Sequence, residues 1–312
     1  MRLLAGFAAF ALLAAAQTPS PALLVLNKVD AMLAIVDPVT NKVVARVPTG
    51  PNPHEVDVSA DGKFAFASNY SSNTIAAIDL VAQKEQLVDL GELRRPHGIF
   101  FAGGKVYFTA EQNRMVGRYD PAAGKVDWTQ STNQESTHMV VVSKDLNKIF
   151  TSNIGSNTVS ILERGTAVSV PVGPGPEAID LSPDQKEIWT AHSGDGGVSI
   201  IDVAAKKVVQ TLGKLTTRPN RLKFTPDGKR VLISDAGTGD LVVIDATARK
   251  EIKRIKVGTL AEGILITPDG ARAYVALERD NAVAIVDLKT LQQTGRISTG
   301  NGPDGMAWAV RK

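Results

Sequence analysis

The 312-residue chain contains no cysteine, which excludes disulfides, thiolate metal sites, iron–sulfur clusters, thioether-linked haem and any cysteine nucleophile. A metal, if one is bound, must sit on histidine and carboxylates. Aromatic residues make up only 5%, and Trp128, Trp189 and Trp308 are scattered, so no platform for stacking sugars or single-stranded nucleic acid is evident. Charge of one sign is lacking too. Thirty-five basic against 32 acidic residues give +3, without the basic stripe of a dedicated nucleic-acid binder. Hydrophobic residues are 43%, charged residues 21% and mean hydropathy is near zero, so the chain can bury a sizeable core and is not an integral membrane protein.

The one long apolar run is at the start. Met1-Arg2 supplies a positive end, Leu3 to Leu13 an apolar or glycine core, and Ala14-Ala15-Ala16 the small residues of a signal peptidase site. A spanning helix needs roughly 20 apolar residues, and Gln17-Thr18-Pro19-Ser20-Pro21 interrupts the run too soon. Residues 1–16 are expected to be a cleaved signal peptide and 17–21 a short linker. The mature protein is then periplasmic or secreted and does not span a membrane.

What fills the rest is a repeat. Apolar runs ending in an acid recur at LAIVD (Asp37), IAAID (Asp79), VGRYD (Asp120), VSILE (Glu163), VSIID (Asp202), LVVID (Asp245) and VAIVD (Asp287), with spacings of 42, 41, 43, 39, 43 and 42. One structural unit per period follows. Many acids are followed five residues later by a lysine opening a second run, and the residues between them read as a hairpin turn capped by the acid. Gly/Pro segments such as PVGPGP lead to a third run, which ends at turns of the type SADGK, SPDQK and TPDGK; a fourth run follows. Four short strands per period with no helical periodicity predict an all-β fold, a seven-bladed β-propeller with four antiparallel strands per blade. The chain ends after a third-type strand, while residues 22–28 match the fourth type. The last blade is therefore expected to combine one C-terminal and three N-terminal strands, making 22–312 a single domain.

The segments TIAAIDL, TVSILER, GVSIIDV, SPDQKEIWTAH and TPDGARAYVAL resemble the YVTN-type β-propeller repeat. The resemblance covers residues 22–312, with AGGK and SKDLN replacing the SPDGK turn in two units. It implies kinship with lactonase-like propellers, amine dehydrogenase heavy chains and haem-binding nitrite reductase propellers. That range of relatives spans enzymes, cofactor binders and adhesion modules, so it implies a fold and no single activity.

HExxH, GxSxG, P-loop and EF-hand patterns are absent. One register stands out. At the start of the innermost strand, the seven units carry His54, His97, His138, Glu177, Asn220, Glu262 and Asp304, so three of the four histidines share one ring at a channel mouth. The end of the following strand is expected to bring Asn27, Asn69, Glu111, Asn153, His192 and Asp235 to the same rim, His97 beside Glu111 and Glu177 beside His192. Imidazoles oriented by carboxylates suit a divalent metal such as Zn or Mn, so His54, His97 and His138 are the candidate metal ligands. Glu177 and His192 are candidates for proton transfer. Asn220, Glu262, Asp304, Glu111, Arg95 and Arg218 are candidate ligand-binding residues. The leading expectation is a binding or scaffold module that takes a small molecule, metal or protein partner at this mouth. The alternatives are a metal-dependent hydrolase or lyase of lactonase-like chemistry, and an envelope or surface adhesion module without chemistry.

Overall fold

A period of about 42 residues accommodates four strands of six or so residues and their turns, and the turn chemistry decides where each strand stops. The repeat acid caps the outer hairpin. The Asp79 carboxylate accepts the backbone N–H groups of Val81 and Ala82, Asp245 those of Thr247 and Ala248, and Asp287 those of Lys289 and Thr290. The SPDGK-type turns are closed in the same way, with Asp184 and Asp227 accepting the backbone N–H groups of Lys186 and Lys229. These bonds satisfy the backbone where the ladder ends.

A computed structural model describes residues 17–312; the signal-peptide expectation for 1–16 lies outside the described residues. The strands form seven four-stranded antiparallel sheets. The first blade pairs Pro303–Ala309 with Ala22–Asn27, followed by Met32–Asp37 and Lys42–Pro48. The ring is thus closed by backbone hydrogen bonds between one C-terminal and three N-terminal strands, as the repeat count predicts. Blades two to seven follow in sequence order, and their innermost strands are Pro53–Val58, Pro96–Ala102, Thr137–Val142, Pro176–Leu181, Pro219–Phe224 and Ala261–Ile266.

The core lies between blades. Side chains alternate across a strand, so Leu24 and Leu26 pack with Val56, Ala67 and Ile78 of the second blade, while Leu23 and Val25 pack with Tyr274 and Val283 of the seventh. Burial on both faces explains why the middle strands read as continuous apolar runs. Trp308 of the first blade stacks on Tyr274 of the seventh, ring centroids 6.0 Å apart. Residues 17–21 lie against the ring: the Thr18 hydroxyl donates to the Leu80 carbonyl, and the Arg311 guanidinium donates to the Thr18 carbonyl.

Near the axis the innermost strands converge, and glycine lets them. A Cβ on Gly98 would sit 2.7 Å from the His138 carbonyl oxygen, and one on Gly305 would run into the His54 carbonyl. Gly305→Ala is expected to destabilise the fold at the upper end of the ~1–3 kcal/mol typical of overpacking, because the obstacle is backbone. Urea unfolding checks this; an unchanged midpoint would mean that the strands can move apart.

Candidate functional site

The start of each innermost strand departs from a regular ladder. Register shifts fall around His54, His97, His138, Glu177, Asn220, Glu262 and Asp304, so every residue of the predicted ring sits in a bulge, a device that re-aims a side chain. Hydroxyls on the neighbouring strand hold several of these bulges. Ser68, Thr109, Ser152 and Ser234 accept the N–H groups of Glu55, Gly98, Met139 and Arg221, and they donate to the carbonyls of His97, His138, Glu177 and Glu262 in the next blade. Each such residue therefore fixes its own bulge and its neighbour's.

Five of the seven ring residues, all but the half-buried Glu177 and His54, are buried and would otherwise be stranded polar groups. They converge instead on a cavity of about 280 Å³ lined by Lys28, His54, Tyr70, His97, His138, Glu177, Arg218, Asn220, Arg221, Glu262, Glu278 and Asp304. The three imidazoles are in contact: His97 and His138 face each other at a 30° tilt with centroids 3.7 Å apart, and His54 meets His97 edge-on at 4.8 Å. Tyr70 packs on His54 at 4.8 Å and edge-on to His97 at 5.5 Å.

The cluster is electrically uneven. Burial drives the His97 imidazole well below its ordinary value, and the charges of His138 and His54 push it the same way. Burial also works against charge on His138, but Glu111 and Glu177 outweigh it and hold that imidazole up at about 9. Glu177 Oε1 lies 3.3 Å from Nε2 and Glu111 Oε2 4.0 Å from Nδ1, ion pairs of which the first is too bent and the second too long to be a hydrogen bond. At neutral pH a protonated His138 therefore lies face to face with a neutral His97.

Across the mouth, Lys28 gathers three carboxylates: Glu262 at 2.7 Å, Glu278 at 3.0 Å and Asp304 at 3.4 Å. Burial and the neighbouring Asp304 push Glu262 up to about 8, with Lys28 pulling it down. Beneath them, Arg221 reaches across the channel to Glu55 of the opposite side, its Nε donating at 2.8 Å, while its Nη1 donates to the carbonyl and side-chain oxygens of Asn220, both at 3.0 Å. This pair forms a waist. On its far side lies a second chamber of about 350 Å³ lined mostly by apolar side chains, among them Phe100, Val141, Leu265, Met306 and Trp308, with Asp57 and Lys223 beside them.

The structure brings together the predicted innermost ring but not the predicted second ring. His54, His97 and His138 pack on one another, and no group of three or more histidine or carboxylate side chains among the described residues is arranged to hold a metal ion. His192 is not at the mouth and does not meet Glu177: it is buried beneath the Gly/Pro loop, with Nδ1 3.2 Å from Asp195. Glu111 meets His138, not His97. Asn27, Asn69, Asn153 and Asp235 likewise turn into the blades, where Asn69 accepts the Gly50 N–H and Asp235 accepts those of Thr217 and Arg218. Strand alternation is the reason: the side chain one residue further on faces the axis. Those next residues include Lys28, Tyr70, Glu111 and Glu278, whose N–H groups bond to the carbonyls of Gly302, Asn52, Arg95 and Leu260, each two residues before a ring member. Lys28, Tyr70 and Glu278 line the mouth, and Glu55 the waist, without being evident from the sequence. Arg218 lines the cavity; Arg95 stands at its edge, its guanidinium 5.3 Å from the Tyr70 ring centroid.

Two family models match the chain: the YNCE-like beta-propeller over residues 3–120 and the cytochrome D1 heme domain over residues 112–272. No curated protein matches it. Among solved structures, hydrazine synthase of Kuenenia stuttgartiensis is similar with a TM-score of 0.77 at 18% identity, covering 89% of this chain and 99% of that one. A putative 6-phosphogluconolactonase of Bacteroides uniformis gives 0.77 at 15%, covering 93% and 99%. A functionally unknown protein of Desulfotomaculum acetoxidans gives 0.78 at 12%, covering 94% and 100%. At these identities the likeness is one of fold.

A haem, the group in the name of the second family, needs an axial ligand within apolar walls. Here the histidines pack on one another in the charged mouth, while the apolar walls belong to the chamber beyond Arg221 and Glu55. The two requirements fall on opposite sides of an ion pair, and the residues present do not fit that group. In sequence and fold, the chain is a seven-bladed propeller of YVTN type that belongs to the family described by the cytochrome D1 heme domain, which matches just over half of its length, with YNCE-like repeats toward its N-terminal side.

Proposed function

We propose that this is an exported binding or scaffold propeller whose mouth holds a small polar molecule. One observation carries the reading: of the buried polar side-chain atoms without a hydrogen-bond partner among the described residues, His97 Nδ1, His138 Nδ1 and Nε2 and Asp304 Oδ1 belong to residues that line this one cavity, and Glu111 Oε2 stands behind His138, 4.0 Å from its Nδ1. An unpaired buried polar group costs about 1–3 kcal/mol, so a ligand offering donors and acceptors there recovers that cost. A volume of about 280 Å³ is at the small end for a ligand pocket.

Thermal unfolding in the presence of fractionated small-molecule extracts tests this. A ligand at a hundred times its Kd stabilises by about 2.7 kcal/mol, so at least one fraction should raise the wild-type midpoint by several degrees and leave Glu177→Gln nearly unmoved. If no fraction does so, or if both proteins respond equally, the mouth is not a binding site.

A second reading, a hydrolase or lyase working without metal, is favoured by the stacked imidazoles: neutral His97 and protonated His138 supply a base and an acid side by side. It requires that the molecule bound be consumed.

A further inference from the structure

The mouth is layered in charge. Its inner layer comprises three cations, Lys28, His138 and Arg221, against the lining carboxylates of Glu177, Glu278 and Asp304 and, behind the lining, those of Glu55 on Arg221 and Glu111 on His138, with Glu262 carrying a proton at neutral pH. Three positive against five negative charges leave that layer negative. Two of its carboxylate oxygens, Glu111 Oε2 and Asp304 Oδ1, are buried and accept no hydrogen bond. The outer layer has the opposite sign. Arg218 lines the cavity, is exposed, and its guanidinium has no partner among the described residues, although it lies close enough to bias the ionisation of Glu177. Arg95 stands over Tyr70 at the same rim.

A simple anion would meet the deep carboxylates, a simple cation would leave Arg218 unpaired, and a neutral polyol would cancel neither layer. Charge complementarity of this kind selects among ligands of similar size. We propose that the mouth takes a zwitterion, a small amino acid or related molecule whose ammonium is received by Glu177 and Asp304 and whose carboxylate rests on Arg218. This rests on the mouth being a binding site and adds the class of ligand.

Calorimetric titration with the straight-chain series from glycine to 6-aminohexanoate, each compared with the alkylamine and the alkanoate of matching length, tests it. At least one amino acid should bind about tenfold or more tightly than both singly charged counterparts, a difference of ~1.4 kcal/mol. Arg218→Ala should remove that advantage over the amine without changing amine binding, and Glu177→Gln should weaken amine and zwitterion while sparing the alkanoate. Circular dichroism establishes that both variants are folded. An amine that binds as tightly as its zwitterion, or a mouth occupied by a neutral or anionic molecule from the extracts, overturns the zwitterion and leaves the binding site standing. If nothing binds at the mouth, both proposals fall.

Discussion

Replacing Arg221 with methionine is expected to lower the unfolding free energy by about 3–5 kcal/mol, the cost of breaking a buried ion pair from one side. Arg221 is 4% exposed and is, among the described residues, the one cation shared by Glu55 and Asp304; its Nη2 also pairs with Glu55 and lies 3.9 Å from Asp304 Oδ1. Without it, Glu55 faces an apolar chamber and Asp304 keeps only Lys28. The double variant Arg221→Met with Glu55→Leu should recover most of the loss, since an apolar pair of similar volume often matches a buried ion pair in stability. Urea denaturation followed by tryptophan fluorescence reads both effects. A single variant within about 1 kcal/mol of wild type, the value of a solvated pair, would show that water reaches the waist and that the two chambers are continuous.

Stability should also fall on the alkaline side. His138 is held at about 9 in the folded protein against an ordinary 6.5, so between those values the folded state binds a proton that the unfolded state has lost. Its contribution is complete below about pH 6.5 and disappears as pH rises through 9; 2.5 pKa units correspond to about 3 kcal/mol. Glu262, raised to about 8, acts in the same direction between its ordinary value and 8. His54, His97 and His192 are lowered by burial and act oppositely: their contribution is present above the ordinary histidine value and is lost as pH falls below it through their depressed folded values. Stability should therefore peak near pH 6–7. His138→Gln should be less stable at neutral pH but should show no further loss between pH 8 and 9.5. Proton NMR of the imidazoles gives the direct check, and a His138 that titrates near 6.5 would refute the account.

Much of this was legible in the sequence because the repeat is written in turn chemistry. The acids at Asp79, Asp245 and Asp287 mark hairpins whose backbone they cap, and seven of them count the blades. The innermost ring was legible for the same reason, since one register position survives in every unit. The second ring was not, and the cause can be traced to a turn. Blade three replaces the SPDGK turn with Ala102-Gly103-Gly104-Lys105, where both glycines have positive φ, 57° and 77°, as a two-residue hairpin requires. Lys105 therefore pairs with Ala102 and takes the place of Phe64, not of Lys63. Matching lysine to lysine puts Glu111 level with Asn69, whereas the ladder puts it level with Tyr70. In a strand one residue is a change of face, so Glu111 reaches the mouth and the asparagines do not. Lys28, Tyr70 and Glu278 share no residue type, which left their common position without a signal.

The pairing of Pro303–Ala309 with Ala22–Asn27 sets a clock. Contacts between segments nearly a whole chain apart form late, because the entropy of bringing the ends together is incurred before the contact rewards it. Until they form, the mouth lacks Asp304, and Lys28 has lost one of its three anions. A vectorially emerging chain would thus pass through an open horseshoe of blades with an incomplete pocket, and ligand competence would appear in one step, with the last strand.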